Sequence, residues 1–425
     1  MFSEKYNEKL IALINPILSK LSDERKRYLE EELNNVIKTN QAIKLLIAYD
    51  IAKYLNENKY YYVFRGNINS SYIAYELGIS NVDCFKLNII PEQCYGIDYK
   101  NNYIISLNVG TKVLRKVLKR IDDVYKGNLY RLKSMNCVGR IYLNITERLY
   151  VIDNTKKYNT KAIKQNGIEY ESLTAEDISN DDNIFRISIK GKYQIDLVDE
   201  TLKLINDRYD LNIDYDNYKE LKNKSRIINK LCNYQSSNID KSYFIEVSNK
   251  YIIEMIRDLN PKSYNDLVKI CCLLHCHGSF DDEQLYLNSS ISTIDDVYDY
   301  LINININKEE AFHISEVVGK GKFQDISESL NDRLPFEFIN LCDEFTHLES
   351  KGFIISYLNQ DMFTMYLYDK YPNEISEAYL KVFKDINHER EYKKLETNLW
   401  KNNYSLFTKL LDIAKIITSK YLCLI

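Results

Sequence analysis

The sequence predicts an α+β fold that is mainly helical and contains a small mixed β-sheet. Only 5 prolines and 12 glycines occur among 425 residues, which favours long helices over a loop-rich sandwich. Apolar residues recur at spacings of three and four through much of the chain, as they do in amphipathic helices. Short runs rich in aromatic and β-branched residues lie between these segments and are typical of buried strands.

The first 58 residues are predicted to form helices. One of them begins after Ser22, a candidate N-cap residue, and has acidic residues in its first turn. A second helix is predicted for residues 42–55. The aromatic run Tyr60–Phe64 that follows is typical of a buried strand.

A loop with one arginine and several serines joins this strand to the next predicted helix, which begins near Tyr72. Arg65, Ser70 and Ser71 are the loop residues that can bind an anion. Amides at a helix N-terminus and hydroxyl groups face an anion at such a position, and the arginine adds positive charge. The alternative interpretation is an ordinary turn in which a serine caps the helix.

A basic segment follows the next predicted strand, residues 103–108. Ten lysines and arginines lie between Lys100 and Arg140, and only Asp122 and Asp123 oppose them. Five of these residues lie at helical spacing and form a stripe: Lys112, Arg115, Lys116, Lys119 and Arg120. Two further basic residues, Arg131 and Lys133, follow the stripe. A positive stripe in an acidic protein indicates a polyanion partner, and the alternative is a solvated helix face. These residues are our candidate nucleic-acid contacts.

Residues 141–200 alternate strand-like segments with a polar loop at 154–183. The last of these segments, YQIDLV, carries Asp196 and is predicted to be a strand. A helix that begins DETLKLIND is predicted to follow it. Later residues show mainly the pattern of amphipathic helices.

The segment 261–357 contains the clearest phosphate-binding pattern of the chain. Lys320-Gly321-Lys322 follows Val317-Val318, where a predicted amphipathic helix ends. Two lysines on a glycine-containing loop can hold phosphate oxygens as point charges. The alternative is a helix C-cap, where lysine and glycine are common in any case.

Composition limits the cellular setting and the partners. The net charge is −4, so any nucleic-acid site must be a local patch. Nine cysteines show no disulfide framework, and no run reaches the ~18 apolar residues of a membrane-spanning helix. We therefore expect a cytoplasmic protein without a membrane partner. The cluster of Cys271, Cys272, His275, Cys276 and His277 faces different sides of a helix, so we predict a structural role and no metal.

Four blocks within 261–357 resemble, in order and spacing, the fingers domain of a replicative DNA polymerase. The family is the C-family DNA polymerase III alpha subunit of the Gram-positive type, PolC. The blocks are PKSYNDLVKICCLLH, IDDVYDYLI, AFHISEVVGKGKF, and LPFEFINLCDEF with SKGFIISY. Each block alone is weak, but four in one order over about a hundred residues are specific. The segments LEEELNNVIKTN and YYYVFRGNINSSYIAYELG resemble the start of the polymerase palm.

The resemblance implies a palm with a nucleotidyltransferase-like mixed sheet, a helical remnant of the thumb and a helical fingers domain. On this basis we expect the first part of the palm at 1–110, and a shortened, basic, thumb-like segment at 111–140. The second part of the palm is expected at 141–200. A fingers-like helical domain is expected at 201–383, and C-terminal helices at 384–425.

The resemblance also assigns candidate contacts for nucleotide or phosphate. They are Arg65, Ser70, Ser71, Lys320, Lys322 and Lys351. The chain departs from the family at nearby positions: Gly319 stands for an arginine, Phe353 for a histidine, Asn67 for a serine and Asn69 for a glycine. These departures weaken the expectation of tight nucleotide binding.

The catalytic metal ligands are the largest departure. The family places two aspartates two residues apart on one strand and a third on a neighbouring strand, and together they hold two Mg²⁺ ions. Ile104 and Ser106 stand at the first two positions, and Asp196 matches the third. Isoleucine cannot bind a hard cation, and serine is a poor substitute for a carboxylate. We expect Asp196 to be a vestigial catalytic residue, and we expect no cofactor.

Three hypotheses about function follow. We favour a catalytically degenerate PolC-like relative, a pseudo-polymerase that binds primer–template or single-stranded DNA or a replication or defence protein. Its role would be accessory to replication, mobile-element maintenance or defence. The second hypothesis is an active, Mg²⁺-dependent nucleotidyltransferase with the remodelled ligands Asp196, Asp199 and Asp98. The third is a pure protein-interaction module.

Overall fold

The computed structural model describes most of the chain, which divides into two compact units. The described residues are 2–95, 104–124, 129–130, 145–151, 161–165, 168–172, 184–211, 213, 224–233, 243–275, 291–323, 333–344 and 347–385. Unit 1 comprises Met1–Ile195 and Ser263–Gln360, and unit 2 comprises Asp196–Lys262 and Asp361–Ile425. This division splits the region 201–383 between the units, so palm, thumb and fingers remain predicted names.

Unit 1 begins with three helices whose apolar faces form much of its core. The predicted helix after Ser22 is present, as is the helix predicted for residues 42–55. The helices of this unit are α1 (Phe2–Leu18), α2 (Asp23–Lys38), α3 (Ala42–Glu57), α4 (Tyr72–Glu76), α5 (Glu92–Tyr95) and α6 (Thr111–Val124). Later parts of the chain add α10 (Tyr264–His275), α11 (Ile294–Asn303), α12 (Lys308–Gly319) and α13 (Phe336–Glu344).

A mixed sheet of five strands lies in unit 1, in the order β1-β2-β7-β4-β3. Its strands are β1 (Tyr62–Arg65), β2 (Ile104–Val109), β3 (Leu129–Tyr130), β4 (Ile145–Val151) and β7 (Ile184–Gly191). β2 and β7 are parallel, whereas β1 pairs with β2 and β4 pairs with β7 in antiparallel fashion. A separate hairpin consists of β5 (Lys161–Gln165) and β6 (Ile168–Ser172). The prediction of a mainly helical α+β fold with a small mixed sheet is confirmed.

The prediction that YQIDLV forms a strand is wrong. These residues begin the helix α7 (Tyr193–Tyr209), and Asp196 lies in its first turn. The preceding strand β7 ends at Gly191, where the Lys192 amide donates to the Val109 carbonyl. The alternation around Ile195 resembles a strand only over a few residues. Apolar positions continue at helical spacing as far as Ile205, which is fully buried.

Unit 2 is helical in its described residues. Its helices are the main part of α7, α8 (Lys224–Cys232), α9 (Lys250–Leu259), the second half of α14 (Lys351–Lys370) and α15 (Pro372–Asp385). Asp361 on α14 accepts hydrogen bonds from the amides of residues 245–247, at 2.7, 2.8 and 2.9 Å. Within the described residues, no helix is both long enough and apolar enough to cross a membrane.

Candidate functional site

The strand positions of the family's catalytic aspartates can be located by register. Ser106 on β2 pairs with Ser188 on the parallel strand β7, and with Arg65 on β1. Glu147 on β4 is the register partner of Ser188 on the far side. Because paired residues of neighbouring strands share a face, Arg65, Ser106 and Ser188 form one row across the sheet. We call these three residues the central row.

Ser188, and not Asp196, holds the strand position next to Ser106. Asp196 was expected on the neighbouring strand, but it lies on α7, eight residues further along the chain. Sequence reasoning recognised the strand that contains Ser188 but predicted one more strand around Asp196. A register match to Ser106 was the missing signal, and a single sequence does not supply it.

The central row contains the cation Arg65 beside Ser106, where the resemblance implies a carboxylate. The Arg65 guanidinium donates from Nη2 to Ser188 Oγ at 3.0 Å and therefore reaches across the position of Ser106. Arg65 is 7% exposed and Ser188 is 5% exposed, so both lie largely beneath the surface. Arg65 Nε, and both amide atoms of fully buried Asn108, have no hydrogen-bond partner among the described residues.

These residues do not fit two magnesium ions. Mg²⁺ takes carboxylate, phosphate and water oxygens, and a serine hydroxyl is a weak substitute. The positive charge of the Arg65 guanidinium would repel a divalent cation in the row. Among the described residues, no group of three His, Cys, Asp or Glu side chains is placed to hold a metal ion.

The loop after β1 has a defined path because Asn69 ties it together. Gly66 has a φ of 80°, and residues 67–70 form a 3₁₀ turn. The Asn69 amide donates to the carbonyls of Phe64 and Gly66 at 3.0 and 3.2 Å, and its oxygen accepts from Ser80 Oγ at 2.7 Å. The asparagine that replaces the family's glycine is thus an internal brace for the loop.

Glu32 occupies the place where an anion was predicted at the start of α4. Ser71 is the N-cap residue of this helix, and its Oγ donates to Glu32 Oε1 at 2.5 Å. Glu32 Oε2 accepts from the amides of Tyr72 and Ile73 at 2.9 and 3.1 Å. The free amides at the N-terminus of α4 are therefore hydrogen-bonded to a carboxylate of the chain itself, and the Ser71 hydroxyl group donates to the same carboxylate.

The predicted phosphate contacts after residue 260 lie on segments that meet this loop. Gly352, at the start of α14, packs against the backbone of Asn69 and Ser70. The Leu348 amide donates to the Gly319 carbonyl at 3.0 Å, which joins the loop of Lys320 and Lys322 to the same place. The structure therefore brings together the segments that carry these lysines and Arg65.

The lysines themselves make local contacts. Lys320 caps α12 and pairs with Glu316 at 3.0 Å, and Gly321 has a φ of 64°, as in a helix C-cap. Lys351 Nζ lies 3.5 Å from Asp296 Oδ1, and its amide donates to Asp295 Oδ2 at 2.7 Å. The C-cap interpretation of the Lys-Gly-Lys sequence is thus correct in geometry, and its phosphate role stays a prediction.

Gly319 packs tightly against the side chain of Ile294. A Cβ at this position would lie 2.6 Å from Ile294 Cδ1, so the family's arginine would need Ile294 to move. The buried Cys271 and Cys272 and the ring contact of His275 with Phe353, at 5.1 Å between centroids, fit the predicted structural role. Cys276 and His277 lie outside the described residues.

The basic stripe is on the exposed face of α6. Val113, Val117 and Ile121 form the buried face of this helix, and the five lysines and arginines of the stripe are exposed. Lys116 Nζ donates to Tyr60 Oη at 2.9 Å, and this hydrogen bond raises the pKa of Lys116. The remaining predicted contacts Arg131 and Lys133, and the alternative metal ligand Asp98, lie outside the described residues.

Gly352→Ala is expected to lower the free energy of unfolding by about 1–3 kcal/mol, the usual cost of overpacking. The added Cβ would lie 2.9 Å from both Asn69 C and Asn69 O, and backbone atoms cannot turn aside. Gly319→Ala is the control, since its clash is with the flexible tip of Ile294. Urea unfolding measures both variants, and equal losses would contradict this account of the loop contact.

Comparison with known proteins finds relatives for part of the chain. Residues 2–125 match the family model described as the bacterial DNA polymerase III alpha NTPase domain. A DNA polymerase III PolC-type of Clostridium perfringens is 28% identical over 151 residues, which is 33% of this chain and 10% of that protein. PolC-type polymerases of Caldanaerobacter subterraneus and Mycoplasma genitalium are 26% and 27% identical over 151 and 124 residues. These matches cover 33% and 27% of this chain, and 11% and 8% of the two polymerases.

These matches, over about one third of the chain, support its assignment as a relative of the bacterial DNA polymerase III alpha subunit. Within that group they support a PolC-like relative. The matched region is about one tenth of the length of the PolC-type polymerases.

Proposed function

We propose that this chain is a catalytically inactive relative of PolC that keeps a palm-like scaffold and binds nucleic acid. The observation that carries the proposal is the central row, where Arg65 is hydrogen-bonded to Ser188 beside Ser106, a position at which the resemblance implies a metal-binding carboxylate. Two-metal phosphoryl transfer needs carboxylates that bridge the ions. A buried guanidinium and two serine hydroxyl groups supply none.

The proposal assigns a separate part of the molecule to the nucleic acid. The exposed face of α6 is a local basic patch. In a chain of net charge −4, a nucleic-acid site must be a patch of this kind. Contacts of this kind are made to phosphates and do not read sequence. The protein would then occupy DNA without extending it, in an accessory role in replication, mobile-element maintenance or defence.

The purified full chain is expected not to extend a primer on a template with Mg²⁺ or Mn²⁺. The reason is that the central row lacks the carboxylates that would hold either metal. Template-directed incorporation of a single labelled nucleotide is the measurement. Asp196→Asn and Glu147→Gln are the comparison variants, because they remove the carboxylates of the predicted vestigial residue and of the register partner of Ser188. Extension that either variant abolishes would establish a remodelled metal site and overturn the proposal.

Charge reversal at Lys112, Lys116 and Lys119 is expected to weaken DNA binding equally on unrelated sequences. Each lost phosphate contact lowers the slope of log affinity against log salt by about 0.9 on duplex DNA. Fluorescence anisotropy at several salt concentrations measures this slope. Lys26→Glu is the control, since Lys26 is an exposed lysine on α2. Unchanged affinity in the triple variant would show that the stripe is only a solvated face.

A further inference from the structure

Two tyrosines from outside α6 hold cations of the basic stripe. Lys116 Nζ lies 5.3 Å from the centroid of the Tyr60 ring, and Arg120 Cζ lies 5.7 Å from that of Tyr54. Tyr54 is on α3, and Tyr60 precedes β1. Both rings are half-buried, so each keeps an accessible part beside its cation.

The cations on this side of α6 form a row along the helix. Lys112, Lys116 and Arg120 are four residues apart, so successive cations lie about 6 Å apart along the helix axis. Arg115 and Lys119 form a second line beside the first. A linear array of positive charge with aromatic rings along one edge is the combination that proteins use to bind single strands.

We propose that the surface formed by Tyr54, Tyr60 and the exposed face of α6 binds single-stranded nucleic acid, with phosphates on the cations and bases stacked beside the tyrosines. This inference rests on the proposed nucleic-acid binding and names its substrate class. The Arg120 guanidinium is planar and stacks on aromatic faces, so it can lie between Tyr54 and a base. In a duplex the faces of the bases are covered by their neighbours, and only the phosphates remain for this surface.

Three probes of equal length separate charge from stacking. They are a fluorescent oligo(dT), an abasic strand with the same number of phosphates, and a duplex. Oligo(dT) is expected to bind about 10-fold more tightly than the abasic strand, given the usual contribution of one stacked base. Each cation removed, as in Lys112→Ala, is expected to reduce the salt slope on oligo(dT) by about 0.7.

Tyr60→Leu is the decisive variant. It removes the ring but keeps an apolar side chain, and it is expected to weaken oligo(dT) binding about 10-fold while changing abasic-strand binding by less than about 2-fold. Tyr60→Phe is the matched control, since it keeps the ring and loses only the hydroxyl group that accepts from Lys116. Its affinity is expected to remain close to that of the wild type. A melting curve of each variant confirms that it folds.

The outcomes distinguish this inference from the proposed function. Equal affinity for all three probes, with no effect of Tyr60→Leu, would overturn the stacking inference and leave general phosphate binding intact. Equally tight binding of inorganic polyphosphate would likewise reduce the surface to a polyanion site. No binding of any probe would overturn the nucleic-acid part of the proposed function itself.

Discussion

Glu32→Ala is expected to lower the free energy of unfolding by about 3 kcal/mol or more, because each buried polar group left without a partner costs about 1–3 kcal/mol. Three buried donors depend on this carboxylate: the Ser71 hydroxyl and the amides of Tyr72 and Ile73. Urea unfolding measures the loss. Glu32→Gln is the matched variant, since its amide keeps one acceptor oxygen and nearly the same volume.

The same residue makes stability depend on pH. Burial raises the pKa of Glu32 from its ordinary value of 4.5 to about 7, and it outweighs the opposing hydrogen bonds from Ser71, Ile73 and Tyr72. A carboxyl whose folded pKa is raised contributes stability that is fully present below about 4.5 and is lost as pH rises through about 7. We therefore expect the free energy of unfolding to fall as pH rises from about 4.5 to about 7, by at most about 1.4 kcal/mol per pH unit for one proton.

Other buried carboxyls titrate in the same range, so the variant must be compared with the wild type. Burial raises the pKa of Asp361 to about 7 and that of Asp295 to about 6. In Glu32→Gln, the slope of the free energy of unfolding against pH should be smaller by the contribution of one proton. The contributions of the other carboxyls should remain. Parallel pH profiles for the wild type and Glu32→Gln would show that Glu32 is already ionised in the folded protein.

Local sequence patterns were sufficient to predict several helices and strands but not the contacts between them. The helices α2 and α3 and the strands β1 and β2 follow from periodicity and β-propensity, because neighbouring residues determine both. The hydrogen bond of Arg65 with Ser188 spans 123 residues, and that of Glu32 with Ser71 spans 39. No local pattern marks such pairs, and a buried glutamate looks in sequence like an ordinary surface charge.

The error at Asp196 has the same physical origin. A segment that alternates apolar and polar residues for a few positions fits a strand or one turn of a helix equally well. In the structure, β7 ends at Gly191 and the helix α7 begins at Tyr193. From the sequence, we could predict only that two aspartates are missing from the expected metal site. The strand register was needed to find Ser188 and to place Arg65 beside it.

Placing three carboxylates on β2 and β7 is expected to produce a less stable protein and no polymerase. The variant carries Ile104→Asp, Ser106→Asp and Ser188→Asp. At least the carboxylate at buried Ser188 would be withdrawn from water with one guanidinium beside it, and a buried charge without its partner typically costs about 3–5 kcal/mol. The free energy of unfolding should fall by about that amount.

The charge can be separated from the change in volume. A second variant with asparagine at the same three positions has nearly the same shape and no carboxylates. The difference in melting temperature between the two variants measures the cost of the charges alone. Addition of Mg²⁺ to each then tests metal binding, because a ligand that binds only the folded state raises its stability.

Catalysis is expected to stay absent even if Mg²⁺ stabilises the aspartate variant and not the asparagine variant. Two-metal chemistry requires the primer terminus and the nucleotide to be held in near-attack geometry as well as metal ligands. Arg65 is largely buried, and Asn108 beside it on the same strand face as Ser106 is fully buried. Among the described residues, contact of a primer or a triphosphate with Arg65 or Asn108 would require the groups that bury them to move. Primer extension by the aspartate variant, with the asparagine variant inactive, would show that the nucleotide cradle is intact and that only the ligands were lost.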